Sequence, residues 1–214
     1  MTIKHHLDDA TLMSLSAGTL GEALTIVAAT HVMACRRCRE RVQLLDMIGG
    51  ELVKDFDEEP VSMVSSDGGL SRSSDQLSRA GSDRNETGLP RPLDRIVGRS
   101  LASIPWKWLG PGVATHVLRL SDGAPGDLRL LRVAPGKKLP EHGHGGIELT
   151  HIISGAYRDE FGLFRAGDIA DVDEEVEHQP IVEPGEYCIC VVASEARARF
   201  KSPLSRLVQP LIGM

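Results

Sequence analysis

Gly136-Lys137-Lys138-Leu139-Pro140-Glu141-His142-Gly143-His144-Gly145-Gly146-Ile147-Glu148-Leu149-Thr150-His151-Ile152-Ile153-Ser154-Gly155 is the stretch that decides the fold of the C-terminal half of this chain. His142 and His144 are two residues apart, so on an extended strand both side chains point to the same face. Glu148 opens the apolar strand run after them. Downstream, Gly167-x10-His178 supplies a further imidazole from another strand. Three imidazoles and one carboxylate suit zinc, iron, manganese, nickel or copper, and the ligand set alone does not choose among them.

Around this stretch, short β-type runs alternate with Gly- and Pro-containing turns from Leu93 onward. They are residues 113–120, 128–133, 149–153, 168–172 and 187–192. Such spacing predicts an all-β barrel or sandwich over residues 93–200. Trp106 and Trp108 are expected to cover its start. The tail, residues 201–214, is expected to pack as a terminal segment or to seal an edge strand.

The N-terminal half has a different period. Leu12, Leu15, Leu24, Val27, Ala28, Val42, Leu45 and Ile48 recur at helical intervals between Asp8 and Gly50, which fits three short helices. Gly18 is expected to close the first. Thr19-Leu20-Gly21-Glu22 has the form of a capping box for the second, and Gly49-Gly50 is expected to stop the third. Within this pattern lies His31-x3-Cys35-x2-Cys38, whose three side chains share one helix face when placed on a helix and its extension. Zinc prefers four tetrahedral donors, so a fourth is needed, and His6 is the candidate, with His5 in reserve. Three short helices bury little apolar surface, which gives a physical reason for a metal staple.

The whole is therefore expected to be an α+β multidomain chain: a zinc-stapled helical bundle over residues 1–85, then the β-barrel. Residues 55–92 turn to Ser, Asp, Gly, Arg and Pro and read largely as linker. Leu70, Leu77 and Ala80 form either a weak amphipathic turn that orders on a partner or part of a disordered segment.

Composition narrows the function classes. The 214 residues carry a formal charge of −6, which argues against direct nucleic-acid binding through a basic surface. The arginines at 36, 37, 39 and 41 are a local basic cluster on an acidic chain, and a protein is the expected partner. No apolar run is long enough to span a bilayer, residues 1–7 carry no secretory signature, and four cysteines do not make a disulfide framework. The expected compartment is the reducing cytoplasm.

These residues carry two resemblances. Gly136 to Gly155 matches the first cupin motif, G-x5-H-x-H-x3-E-x6-G, at every specified position. The second cupin motif is matched in spacing from Gly167 to His178, but Asp173, Glu175 and Val182 stand where Pro, Gly and Asn are usual. A helical H…H-x3-C-x2-C part joined to a single cupin resembles the ChrR-type zinc-binding anti-sigma factors over nearly the whole chain. The likeness takes in residues 155–162, the Gly167-Asp168 step and Cys188-Ile189-Cys190.

The resemblance implies a set of roles. His6, His31, Cys35 and Cys38 would hold a structural zinc, and His142, His144, Glu148 and His178 would hold zinc or another divalent transition metal in the cupin. The helical part would occlude an extracytoplasmic-function sigma factor, and the cupin would help sense an inducer such as singlet oxygen or an organic peroxide. Two sensors stay open: the zinc-bound thiolates of Cys35 and Cys38, or the cupin site together with Cys188 and Cys190, which otherwise read as small core residues. The alternative is a metal-dependent cupin enzyme, a dioxygenase or isomerase, with a helical partner-binding part. A ligand-binding cupin that switches the helices without chemistry is a third reading.

Overall fold

The computed structural model describes residues 2–54, 89–196 and 199–200. The expected linker helix near Leu70 to Ala80 and the tail from Pro203 lie outside the described residues.

Among the described residues, three helices form the N-terminal part: α1 (Asp9–Ser16), α2 (Glu22–Ala34) and α3 (Arg36–Lys54). Asp8 caps α1, its carboxylate accepting from the Thr11 amide at 2.6 Å, and Gly18, with φ 69°, follows the helix end as expected. The capping box of α2 does not form. Gly21 is the N-cap, and the Thr19 hydroxyl donates back to the Ser14 carbonyl at 3.3 Å. The Glu22 carboxylate instead accepts from the Ser121 amide, at 3.1 Å, in the C-terminal part.

Nor does Gly49-Gly50 end α3, which runs on to Lys54. Neither glycine has the left-handed φ of a helix stop, and an interior glycine costs only about 1 kcal/mol relative to alanine. At their junction α2 and α3 are not one helix. Cys35 alone breaks them, with φ −103° and ψ 110°. Its amide donates to the His31 carbonyl at 2.7 Å and its carbonyl accepts from the Arg39 amide at 3.0 Å. One residue thus ends one helix and begins the next.

A fourth helix, α4 (Arg91–Val97), and a 3-10 turn (Leu101–Ser103) lead into the strands. These are β1 (Lys107–Gly110), β2 (Val113–Val117), β3 (Asp127–Val133), β4 (His142–Gly143), β5 (Glu148–Ser154) and β6 (Ala156–Asp159). Then come β7 (Gly162–Arg165), β8 (Ile169–Val172), β9 (Glu177–His178), β10 (Ile181–Val182), β11 (Cys188–Ser194) and β12 (Arg199–Phe200). The strand order is β1-β2-β3-β11-β5-β8 in the large sheet, β10-β6-β7 in a second and β12-β4-β9 in a third, and all the pairings are antiparallel. This is the expected all-β barrel. Trp106 packs against its core, whereas Trp108 on the edge strand β1 is exposed rather than covering it.

Strand β11 at the centre of the large sheet is covered on both faces, which is why Cys188-Ile189-Cys190-Val191-Val192-Ala193 reads as an unbroken apolar run. With a side-chain period of two, Cys188, Cys190 and Val192 face the barrel interior with Tyr157, Phe164 and Ile152. Val191 and Ala193 face the other way, into a core shared with Leu12, Leu24, Val27 and Ala28 of α1 and α2. On β5, Leu149 and Ile153 join that same helix-facing core. The helices and the barrel are therefore packed as one body through α2 on β5 and β11.

Candidate metal centres

The break at Cys35 builds the first site. Along a straight helix His31 and Cys38 would lie about 10 Å apart in rise, too far for one ion. With the chain turned at Cys35, Cys38 returns on the first turn of α3. The donor atoms of His6, His31, Cys35 and Cys38 then lie within 4.8 Å of one another.

Nδ1 of His6 stands 3.2 Å from Sγ of Cys35 and 3.7 Å from Sγ of Cys38, and Nε2 of His31 stands 3.3 Å from Sγ of Cys38. Metal–sulfur bonds of about 2.3 Å and metal–nitrogen bonds of about 2.0 Å give tetrahedral edges of about 3.5 Å, so the four residues fit a tetrahedral ion. His5 is not part of the cluster. Its ring stacks on Phe164 of the barrel, with centroids 3.9 Å apart.

The electrostatics suit a cation held by neutral imidazole and thiolate. Burial, then the neighbouring His151, pushes His31 down to about 3, so its ring is neutral. Burial pushes the Cys38 thiol up to about 11, and a bound dication would supply the positive charge that a thiolate needs there. The His31 Nδ1–H donates to the Gly167 carbonyl at 3.1 Å, which leaves Nε2 as the donor to metal.

The second site lies inside the barrel mouth. The β4–β9 register places His142 opposite His178, and ligand atoms of His142, His144 and His178 lie within 4.8 Å of one another. The His178 Nδ1–H donates to the Asp159 carboxylate at 2.8 Å, and His142 Nδ1–H to the Pro140 carbonyl at 3.0 Å. Each hydrogen bond directs the other ring nitrogen inward. Nε2 of His144 and Nε2 of His178 are buried with no hydrogen-bond partner among the described residues, which a cation would satisfy. Glu148 is beside the three imidazoles rather than among that set, with Oε2 3.5 Å from His144 Nδ1. Burial opposes its ionisation, yet His144, His142 and His178 outweigh it and hold the carboxyl below its ordinary range.

Cys188 and Cys190 are buried in the barrel core, and the Cys188 hydrogen bond, together with burial, pushes the Cys190 thiol well up. Sequence spacing did not point to His151 or to Asp168, and Gly167 entered it only as the start of the Gly167-x10-His178 run. Each acts through a partner elsewhere in the chain, as Gly167 does toward His31 across 136 residues, and Asp159 and the Gly-Asp pair were marked by likeness alone.

A helical head gathered round two cysteines and two histidines, seated on a cupin barrel with its own histidine cluster, defines a class of protein. The ChrR cupin-like domain family matches residues 95–198. Anti-sigma-E factor ChrR of Cereibacter sphaeroides is 43% identical over 98% of this chain and 98% of its own length. The crystal structure of Rhodobacter sphaeroides SigE in complex with the anti-sigma ChrR is similar at 40% identity and a TM-score of 0.74, covering 90% of this chain and all of that one. The chain belongs to the ChrR family.

Proposed function

We propose that this chain is a cytoplasmic anti-sigma factor that binds an extracytoplasmic-function sigma factor and keeps it from core RNA polymerase until an oxidative signal arrives. The likeness to ChrR, which runs through helices and barrel alike, carries this reading. No described helix is long and apolar enough to cross a membrane.

Residues 1–85 form the sigma-binding unit, which also carries the reacting thiolates, and the barrel, residues 93–200, helps in the response to the signal. Docking falls to α3, which exposes Leu44, Met47, Ile48, Leu52 and Val53 among charged neighbours. His6, His31, Cys35 and Cys38 hold zinc, and His142, His144, His178 and Glu148 hold a divalent transition metal. Zinc with four protein donors is a cross-link with no position left for substrate. The chain's own part in release is then chemical. Oxidation of Cys35 and Cys38 by a peroxide-type oxidant to a disulfide removes two donors and unties His6 from the helices.

Co-production with candidate sigma factors from the same genome tests this. The expected outcome is a stoichiometric complex that cannot start transcription, abolished in the Cys35→Ala, Cys38→Ala double variant. Failure to retain any such sigma factor, together with iron-dependent oxygen uptake, would transfer the assignment to a cupin dioxygenase.

A further inference from the structure

All four donors of the first cluster come from residues 6–38, but two of them are held in place by the barrel. The groups responsible lie in and beside the turn between β7 and β8. The Gly167 carbonyl fixes the His31 ring at 3.1 Å. The Asp168 carboxylate, only 2% exposed, accepts from the Lys4 amide at 2.7 Å and the His5 amide at 3.1 Å through Oδ1, and from the Arg165 amide at 2.8 Å through Oδ2. The Asp168 carbonyl accepts from Nδ1 of His151 at 3.2 Å, and the His151 ring stands edge-on to His31 with centroids 5.4 Å apart. The Ile169 amide donates to the His5 carbonyl at 3.4 Å. Ile3 closes over Gly167, where a Cβ would meet its Cγ1 at 3.0 Å.

A carboxylate that served the turn alone would need only the Arg165 amide. This one spends its other oxygen on the two residues directly before His6. We infer that Asp168 and Gly167 are positioning residues of the His6, His31, Cys35 and Cys38 site, so that the β7–β8 turn of the barrel sets how tightly the helical cluster holds its metal. The inference rests on the metal assignment of that cluster. Its physical basis is that hydrogen bonds to an imidazole ligand fix ring orientation and raise basicity, and charge-assisted bonds to a buried carboxylate fix the path of the chain. The turn also reaches the other site: β8 pairs with β5, setting Ile169 opposite His151 and Val172 opposite Glu148.

Cobalt(II) loaded into the full-length chain is the probe, because thiolate ligation gives an intense near-ultraviolet charge-transfer band that the histidine cluster of the barrel lacks. Competition with a chelator, followed by the loss of that band, then reads the affinity of the cysteine site alone. Asp168→Asn turns one acceptor oxygen into a donor facing backbone N–H groups. Lys4→Pro removes one of those N–H groups without touching the barrel, and so keeps the test open if the first variant does not fold. Each is expected to weaken cobalt retention by about 10- to 100-fold. The control Val133→Ala, which loosens the barrel core away from the turn, is expected to leave retention unchanged while lowering the melting temperature.

Unchanged retention in both Asp168→Asn and Lys4→Pro, or an equal loss in Val133→Ala, overturns the positioning role. A parent chain with no thiolate band overturns the metal assignment itself.

Discussion

Asp171 on β8 is a residue whose environment sets a pH dependence. Burial raises its carboxyl from the ordinary range to about 6, against the opposing Asp8 amide that donates to it at 3.0 Å. The folded chain therefore binds this proton more tightly than the unfolded one. The stability that this confers is complete below about pH 4 and is lost as pH rises through about 6. Asp171→Asn should remove that slope and raise stability at pH 7.5 by about 2 kcal/mol, after allowance for partial exposure, as read from urea titrations across pH. At the barrel cluster, Asp159→Asn should weaken metal binding by about 10- to 100-fold, measured by chelator competition, because it takes away the carboxylate that orients His178. At this scale the sequence was most legible for the seven candidate donors that folding gathers into two clusters, with Glu148 beside the second, since ligand type and spacing are local facts. His6 could be chosen over His5 only provisionally, and it is the stacking of His5 on Phe164 that separates them. His151 carries no local pattern at all and Asp168 is marked only by likeness, because the role of a buried carboxylate or imidazole is recognised only by what folding brings to it.

The helices and strands divide in the same way. Five apolar runs were readable as strands because each carries a full face of core residues. Strands β4 and β9 were readable only through the histidines they carry, and β1, β6, β7, β10 and β12 were not, since these short strands are defined by partners rather than by periodicity. The break at Cys35 was hidden for a related reason: helical periodicity continues through it, and the turn becomes visible only once folding gathers His31 and Cys38. At the scale of a single helix, α3 makes its own prediction. Met47 and Leu52 are 70% and 62% exposed, so replacing either with glutamate should leave the melting temperature unchanged. The same substitutions should weaken sigma-factor binding at least about tenfold by isothermal calorimetry, if α3 is the docking face. Equal affinity for parent and variant would move the docking face elsewhere.

Taken whole, the described residues hold a core shared by helices and barrel, beside a second inside the barrel, where the sequence suggested two modules on a linker. Leu24 and Val27 of α2, at 1% and 0% exposure, pack in the same cluster as Leu128, Leu149 and Val191 of the barrel. Helices and barrel should therefore melt in a single transition when followed separately by helix circular dichroism and tryptophan fluorescence. Leu24→Ala should lower that one transition by about 2–5 kcal/mol, rather than splitting off the helices. The joint was illegible because a chain's docking of its own parts depends on the outer face of a sheet, and burial on both faces looks the same whether the cover is near or distant in sequence. The single non-helical residue at Cys35 adds a question of shape. Cysteine has no intrinsic objection to helical torsions, and residues on both sides of it are already helical. Were its two torsions to relax, residues 22–54 would become one rod about 50 Å long. Such a rod could not keep α3 beside α1, so the molecule's outline, and not only its metal content, hangs on a latch one residue wide.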